Sequence, residues 1–467
     1  MSPKPITNLF MKKIIFITIA SLSISASYSQ EHFSGISTSN KVGIMNASLN
    51  PAELVNITNN FDITVFSVSA NVSNNKIGFK DLTSDKNIED LIFQGNEPVN
   101  LSIDVKAFGP SLAMKYQKWG FGFTTKGNAK LDIVDADVKL GNAINTSGST
   151  LIGTNSINNN YNQRVSGTTW GEIGLSAARN LYEDRIHKFS AGITFNLLFP
   201  GSYANLGLDK FQGTIDYRGD KIYLNDTYAN LNIAYSGNLA NNFTKFQDYS
   251  KSVFGNLNGL ATDIGINYQW KDKDNDGINN KYKLNAGLSF RNMGSMTFKK
   301  ENNSSTNYNL EIPKPTLIPF NQGLELNQFQ NTNSLQGIET VLINSGYLKK
   351  TQSTKDFKIK MPAVFSAYAD VKIVPKLFVT GFIQQKLNSS SSNDQITAQN
   401  VVSIIPRFST NVYEVYSSWT KSEISGTSGG VGFRVAGFYI GSGSVITALI
   451  SDTKQIDVHI GYKVGFL

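Results

Sequence analysis

The stretch that decides the fold is Gln455-Ile456-Asp457-Val458-His459-Ile460-Gly461-Tyr462-Lys463-Val464-Gly465-Phe466-Leu467. Every second residue from Ile456 to Phe466 is apolar, and the residues between them are polar or glycine. A β-strand sends successive side chains to opposite faces, so this segment has one greasy face and one wet face. A helix would smear the same residues around its circumference. A soluble sandwich also uses such strands, with the apolar face turned inward, so alternation by itself leaves sandwich and barrel open.

The same period recurs upstream. Phe61, Ile63 and Val65 alternate, then the phase slips and Phe66, Val68, Ala70 and Val72 take over, which predicts a β-bulge. Further strands are expected over 101–107, 112–116, 189–197, 365–373 and 377–385, with a short hairpin about Ala436-Gly437. The clearest unit is the hairpin Asp263 to Arg291. Ile264, Ile266, Tyr268 and Trp270 lead in, Tyr282, Leu284, Ala286, Leu288 and Phe290 lead out, and Lys271 to Lys281 is turn sequence. Trp270 and Tyr282 flank that loop, at the level where membrane barrels carry aromatic girdles. The opposite phase holds Asp263, Asn267, Gln269, Lys283, Asn285 and Arg291, joined by Asp457, His459 and Lys463 from the last strand. In a barrel these face the lumen. Their mixed signs name no substrate.

Composition favours the membrane. The chain has 39 Gly, 29 Phe and 19 Tyr with only 17% charged residues, the mixture needed by strands with lipid on one side and water on the other. No run of apolar residues is long enough for a helical span. The absence of cysteine excludes disulfides and a lipoprotein anchor. A formal charge of +8, thinly spread, is no nucleic-acid footprint. From Met11 the chain reads as a signal peptide: Lys12-Lys13, an apolar core from Ile14, and small residues before a cut after Ser29. Residues 1–29 are therefore expected to be a leader, 30–60 an unpatterned N-terminal segment and 61–467 the β-structure. Gly127 to Gln163 reads as a long surface excursion. Pro313, Pro315 and Pro319 break any strand, and Ser334 to Lys349 reads as a helix in a long loop.

Candidate chemistry is sparse. Asp272, Asp274 and Asp276 before Gly277 form the first half of a calcium loop, but Lys283 stands where the closing acid is needed, and Lys271 and Lys273 oppose a dication. The competing reading is a solvated hairpin tip, with no cofactor at all. The three histidines, His32, His187 and His459, join no hydrolase, zinc or phosphate-loop motif, so no enzyme is expected.

Pro51 fixes a turn in the N-terminal segment. Asn50-Pro51-Ala52 within it resembles the hatch of the FadL-type long-chain fatty-acid transporters. Tyr462 and Phe466 resemble the aromatic terminal signal that bacterial outer-membrane barrels present to the barrel-assembly machinery. Lys281 to Ser289, Met361-Pro362-Ala363, Gly432-Phe433-Arg434, Phe438 to Ser442 and Val464-Gly465-Phe466 resemble a Bacteroidota family of outer-membrane barrels of unknown function, FadL-like in outline. The resemblance implies an all-β, closed antiparallel transmembrane barrel of roughly 14 strands (12–16), at about 10 spanning residues each, with a hatch of residues 30–60. It also implies a passive channel for small hydrophobic molecules, with outer-membrane lipid as its surroundings and Asn50, Pro51 and Ala52 at the gate. Two alternatives stand beside it: a non-transporting structural or secretion-accessory barrel, and a secreted all-β binding protein.

Overall fold

The computed structural model describes residues 32–33, 35–145, 152–242, 253–272, 282–317, 320–330 and 332–466. The leader expected over residues 1–29 lies outside them.

The wall strands, numbered in chain order, are β1 (Phe61–Asn74), β2 (Val99–Phe108), β3 (Trp119–Ala136), β4 (Asn162–Glu183), β5 (His187–Arg218), β6 (Gly259–Lys271), β7 (Tyr282–Phe298), β8 (Val364–Val374), β9 (Leu377–Lys386), β10 (Val401–Ser409), β11 (Tyr413–Ser422), β12 (Gly426–Val435), β13 (Phe438–Ser442) and β14 (Gln455–Phe466). Each pairs antiparallel with the next. β14 then pairs with β1, from Phe61↔Phe466 to Ser73↔Gln455, and closes a ring of 14 strands. The chain is a closed transmembrane β-barrel. β2 breaks at Gly109-Pro110, where proline withholds a backbone donor, and resumes as Ser111–Tyr116 between the same two neighbours.

Alternation sorts the side chains as the last strand foretold. Asp62, Thr64, Ser67, Ser69, Asn71 and Ser73 of β1 are buried inside. Between Thr64 and Phe66 the register shifts, and Val65 and Phe66 both point outward, 44% and 39% exposed. Large apolar side chains on the outside of a protein this size would be untenable in water; here they form a continuous lipid-facing band.

The two ends differ. At one rim the strands turn sharply, at Gln117-Lys118, Asp184–Ile186, Pro375-Lys376, Thr410–Val412 and Ala436-Gly437, where Ala436 takes a positive φ of 51°. The connections at the other rim are mostly long. Tyr116, Trp119, Tyr182, Phe189, Trp270, Tyr413 and Phe466 stand exposed around the short-turn rim, an aromatic girdle. Tyr282 is a correction to this set. A register shift between Tyr282 and Leu284 turns its ring inward, where its hydroxyl donates to Asp370 Oδ2 at 2.6 Å.

The long-loop end carries a second layer. β5 runs for 32 residues, far beyond the 9–11 or so a bilayer needs. Above the lipid its outward face is still apolar and must be covered. Lys221–Ser236, Ser304–Ile312, Leu348–Thr354 and Ile152–Asn158 extend the sheet there. The helices Val138–Asn145 and Leu335–Asn344 pack over it, with Phe211, Leu231, Ile233, Leu310, Leu335 and Ile338 in the core. Glu339 ties the second helix down, accepting from Tyr235 at 3.0 Å and Tyr308 at 2.5 Å. Within the excursion expected over 127–163, the start belongs to β3, and among the described residues a helix and an edge strand follow.

Candidate functional site

Among the described residues, 35–57 do not join the sheet. Asn40–Val42 and Pro51–Asn56 are 3₁₀ turns, Ile44–Leu49 is a short helix, and nearly every residue is buried. Asn50 caps the second turn, its Oδ1 accepting from the Ala52 amide at 3.0 Å, while Pro51 occupies the position where a missing N–H costs nothing. The same Asn50 turns its amide outward to the Ile266 carbonyl at 2.9 Å, so one side chain both ends the turn and docks it on β6.

Glycines of the wall make room for the backbone. A Cβ on Gly192 would lie 2.5 Å from the Pro51 carbonyl carbon, and one on Gly120 would lie 2.6 Å from that of Leu54. Wall side chains then satisfy the carbonyls that a short turn leaves unpaired. Lys188 Nζ donates to Val55 at 3.0 Å, Lys115 Nζ to Ile57 at 2.8 Å and Ser289 Oγ to Leu49 at 2.8 Å.

The anchor of this segment is Glu53, fully buried. Its Oε1 accepts from Asn267 at 3.0 Å, from Asn285 at 2.9 Å and from the Tyr368 hydroxyl; Oε2 accepts from Asn56 at 2.8 Å. Neutral donors on three wall strands hold the carboxylate, which is what a buried anion requires. The sequence reading passed Glu53 over. Its signal was its isolation, for it is the sole charged residue between Lys41 and Asp62.

Toward the short-turn rim the lumen is crossed by ion pairs: Arg407–Asp370 at 2.6 Å, Arg434–Glu414 at 2.6 Å and Lys463–Asp62 at 2.9 Å. The N-terminal segment plugs into them. Ser39 Oγ donates to Glu414 at 2.9 Å, and Lys41 Nζ donates to the Thr410 carbonyl at 2.6 Å. His459 lies in the same layer, its Nε2 bonded to the Tyr416 hydroxyl at 2.6 Å.

Above the segment lies a chamber. Its floor is His32, Phe33, Ser48 and Leu49. Its walls carry Asp104, Lys106, Lys126, Asn128, Lys130, Trp170, Glu172, Asp263 and Arg291, around a space partly open to solvent. Two ion pairs lie among them, Lys126–Glu172 at 3.0 Å and Lys130–Asp104 at 2.8 Å, with His32 Nε2 2.9 Å from Asp104; Lys106 and Arg291 add two cations and Asp263 one carboxylate. Thr397, Ala398 and Gln399 face it from the connection between β9 and β10. That connection crosses the mouth to the far wall, where Asn162 Nδ2 bonds Asn393 Oδ1 at 2.8 Å and Tyr203 donates to the Asn393 carbonyl at 2.9 Å. Ile396 seats in an apolar cluster with Trp170 and Tyr203.

The predicted lumen set therefore divides. Asn267 and Asn285 hold the segment. Asp263 and Arg291 line the chamber, Asp263 accepting from Asn196 at 2.9 Å and Arg291 donating to Gln384 at 2.6 Å. Gln269 is buried on the same face. Asp457 holds a turn, accepting from the Gly443 amide and from Ser444 Oγ at 2.8 Å. Lys283 is a correction: the slip that inverts Tyr282 leaves it at the rim, 45% exposed, beside Asp272. Asp272 is also paired with Lys372 at 2.7 Å, so ammonium groups hold the carboxylate that a calcium ion would need. Asp274 and Asp276 lie outside the described residues. Tyr462 and Phe466 face outward, 41% and 52% exposed.

A model described as "Family of unknown function (DUF5723)" matches residues 51–443. No curated protein matches the chain. Among solved structures, the chain is similar to the toluene transporter TbuX of Ralstonia pickettii, at 11% identity and a TM-score of 0.41, over 93% of this chain and 97% of that one. It is similar also to the toluene transporter TodX of Pseudomonas putida, at 9% and 0.43 over 91% and 94%. A Pseudomonas aeruginosa FadL homologue follows, at 8% and 0.40 over 94% and 97%.

Proposed function

The chain belongs to the family of unknown function DUF5723, and we propose that its barrel stands in the bacterial outer membrane as a passive conduit for small molecules, gated by the N-terminal segment. One observation supports the reading: residues 35–57 lie below a chamber in the lumen, and the crossing connection of residues 387–400 lies over part of it. A wall of 14 strands is too wide for its own side chains to fill, so whatever occupies it controls passage. Among the described residues the segment makes no strand pairing with the wall and is held by side-chain hydrogen bonds. Such a closure can leave without opening the barrel. Asn50, Pro51 and Ala52 sit where it docks, and they are the residues we assign to the gate. The hydrophobic cargo implied by the resemblance would meet a chamber walled by paired charges and amides; those walls favour a water-soluble one.

Deletion of Gly35 to Val55, with the leader kept, tests the gate. The barrel should still assemble, shown by heat-modifiable migration on gels, and its single-channel conductance in planar bilayers should rise several-fold. An assembled barrel with unchanged conductance would mean that the segment is not the gate.

A further inference from the structure

We infer that the chamber is a binding site for a neutral, hydroxyl-rich solute of the saccharide class; this rests on the conduit reading for its route but not for its chemistry.

Lys126 and Glu172, and Lys130 and Asp104, lie within 3.0 Å of each other, so these four groups neutralise one another inside the barrel. Arg291 and Asp263 are engaged too, the first donating to Ser366 and Gln384 and the second accepting from Asn196 and the Asn292 amide, so an ionic solute would have to displace existing partners after losing its own hydration. A paired charge still offers directional donors and acceptors on its remaining positions. A hydroxyl, which donates and accepts at once, is the group that fits between them without disturbing the pairing.

The neutral groups point the same way. Asn128 is 2% exposed, and its Oδ1 has no protein hydrogen-bond partner among the described residues, although its Nδ2 reaches Glu172 Oε1 at 3.3 Å. Gln455, 1% exposed, faces the chamber from β14 with its Nε2 in the same condition. Buried amide atoms without partners are costly, and a ligand that supplies them recovers that cost. Beside Asn128 the chamber is lined by Trp170, its indole N–H fixed on Glu172 Oε1 at 2.8 Å.

The approach carries matching chemistry. Above the mouth, Asn205, Asn232 and Asn307 form a ladder across three strands, linked at 2.9 and 2.8 Å. Asn205 also reaches Asn393 of the crossing connection at 3.4 Å. Uncharged amides thus run from the outer sheet to the chamber roof.

The test is titration of the full-length barrel in detergent with glucose, maltose and maltotriose, read by calorimetry and by tryptophan fluorescence. Trp170 is the interior tryptophan, whereas Trp119, Trp270 and Trp419 face outward, each more than 40% exposed. Saturable binding of at least one saccharide is expected, with Kd at or below about 10 mM. Asn128→Ala should weaken it about tenfold, and Trp170→Phe should abolish the fluorescence change while calorimetric binding persists. No saccharide heat up to about 100 mM would overturn the proposal, as would saturable binding of glutamate or toluene in its place. The wild-type titration decides this even where a variant fails to assemble. Liposome swelling in the same sugars separates the two readings: binding without permeation would remove the conduit and leave the site.

Discussion

At the residue scale, the barrel is a choice of face made one side chain at a time. Ile266 and Leu288 oppose each other across β6 and β7 and face outward at 55% and 43% exposure, while Asn267, one position on, is 3% exposed and bonded to Glu53. Ile266→Lys should cost ~2–4 kcal/mol at the bilayer midplane and reduce the heat-modifiable fraction, whereas Ile266→Val should not; equal yields would mean that this face does not meet lipid. These faces were legible because period two is local. The inversion of Tyr282 was not, since it depends on a one-residue slip between strands whose turn sequence is polar but for Ile278. Glu53 was hidden for another reason. An acid in an unpatterned stretch acquires meaning only from Asn267, Asn285 and Tyr368, each more than 200 positions away.

At the element scale, the N-terminal segment and the wall fit because residues are missing. Pro51–Asn56 passes so close to β3 and β5 that Gly120 and Gly192 cannot carry a Cβ without meeting main chain. Gly192→Ala should therefore unseat the segment while leaving β5 paired, since alanine is acceptable in a strand. Limited proteolysis should then cut at Lys41, which is buried in the native protein at 4% exposure, before the barrel loses heat-modifiability. Resistance equal to wild type would show that the close approach is not needed. Pro51 announced a bend in the sequence; the partner glycines did not announce themselves, because a glycine in a strand looks the same whether it faces a plug, a bulge or empty lumen. The upper sheet was half legible. Its helix at Leu335–Asn344 followed from spacing, but the strands it covers were broken up by Asn and Ser.

At the scale of the whole molecule, the wall is uneven. β13 has only five residues, so above Ser442 the edges of β12 and β14 have no strand between them. Side chains span the interval: Ser428 Oγ and Ser425 Oγ donate to Gln455 Oε1, Asp457 holds Gly443 and Ser444, and Thr447 of a short helix caps Gly429. Each such bond is worth roughly 0.5–1.5 kcal/mol and lacks the cooperativity of a ladder. Asp457→Ala should lower the temperature at which the heat-modifiable form converts by several degrees, and Asp216→Ala, outside the barrel proper, should not; an equal shift for both would make this interval no weaker than the rest.

The pairing of Phe61 with Phe466 has a consequence in time. The first and last strands of the wall lie about 400 positions apart in sequence, so the ring exists only after synthesis has passed β14. Contacts of such sequence separation are slow to form. Until then β1 and β14 are unsatisfied edges bearing Val, Phe and Ile on one side, and open edges of that kind recruit other chains. The nascent protein must be kept apart from its copies for the entire interval between synthesis and closure, so the rate of closure, as well as the stability of the finished barrel, bears on its yield.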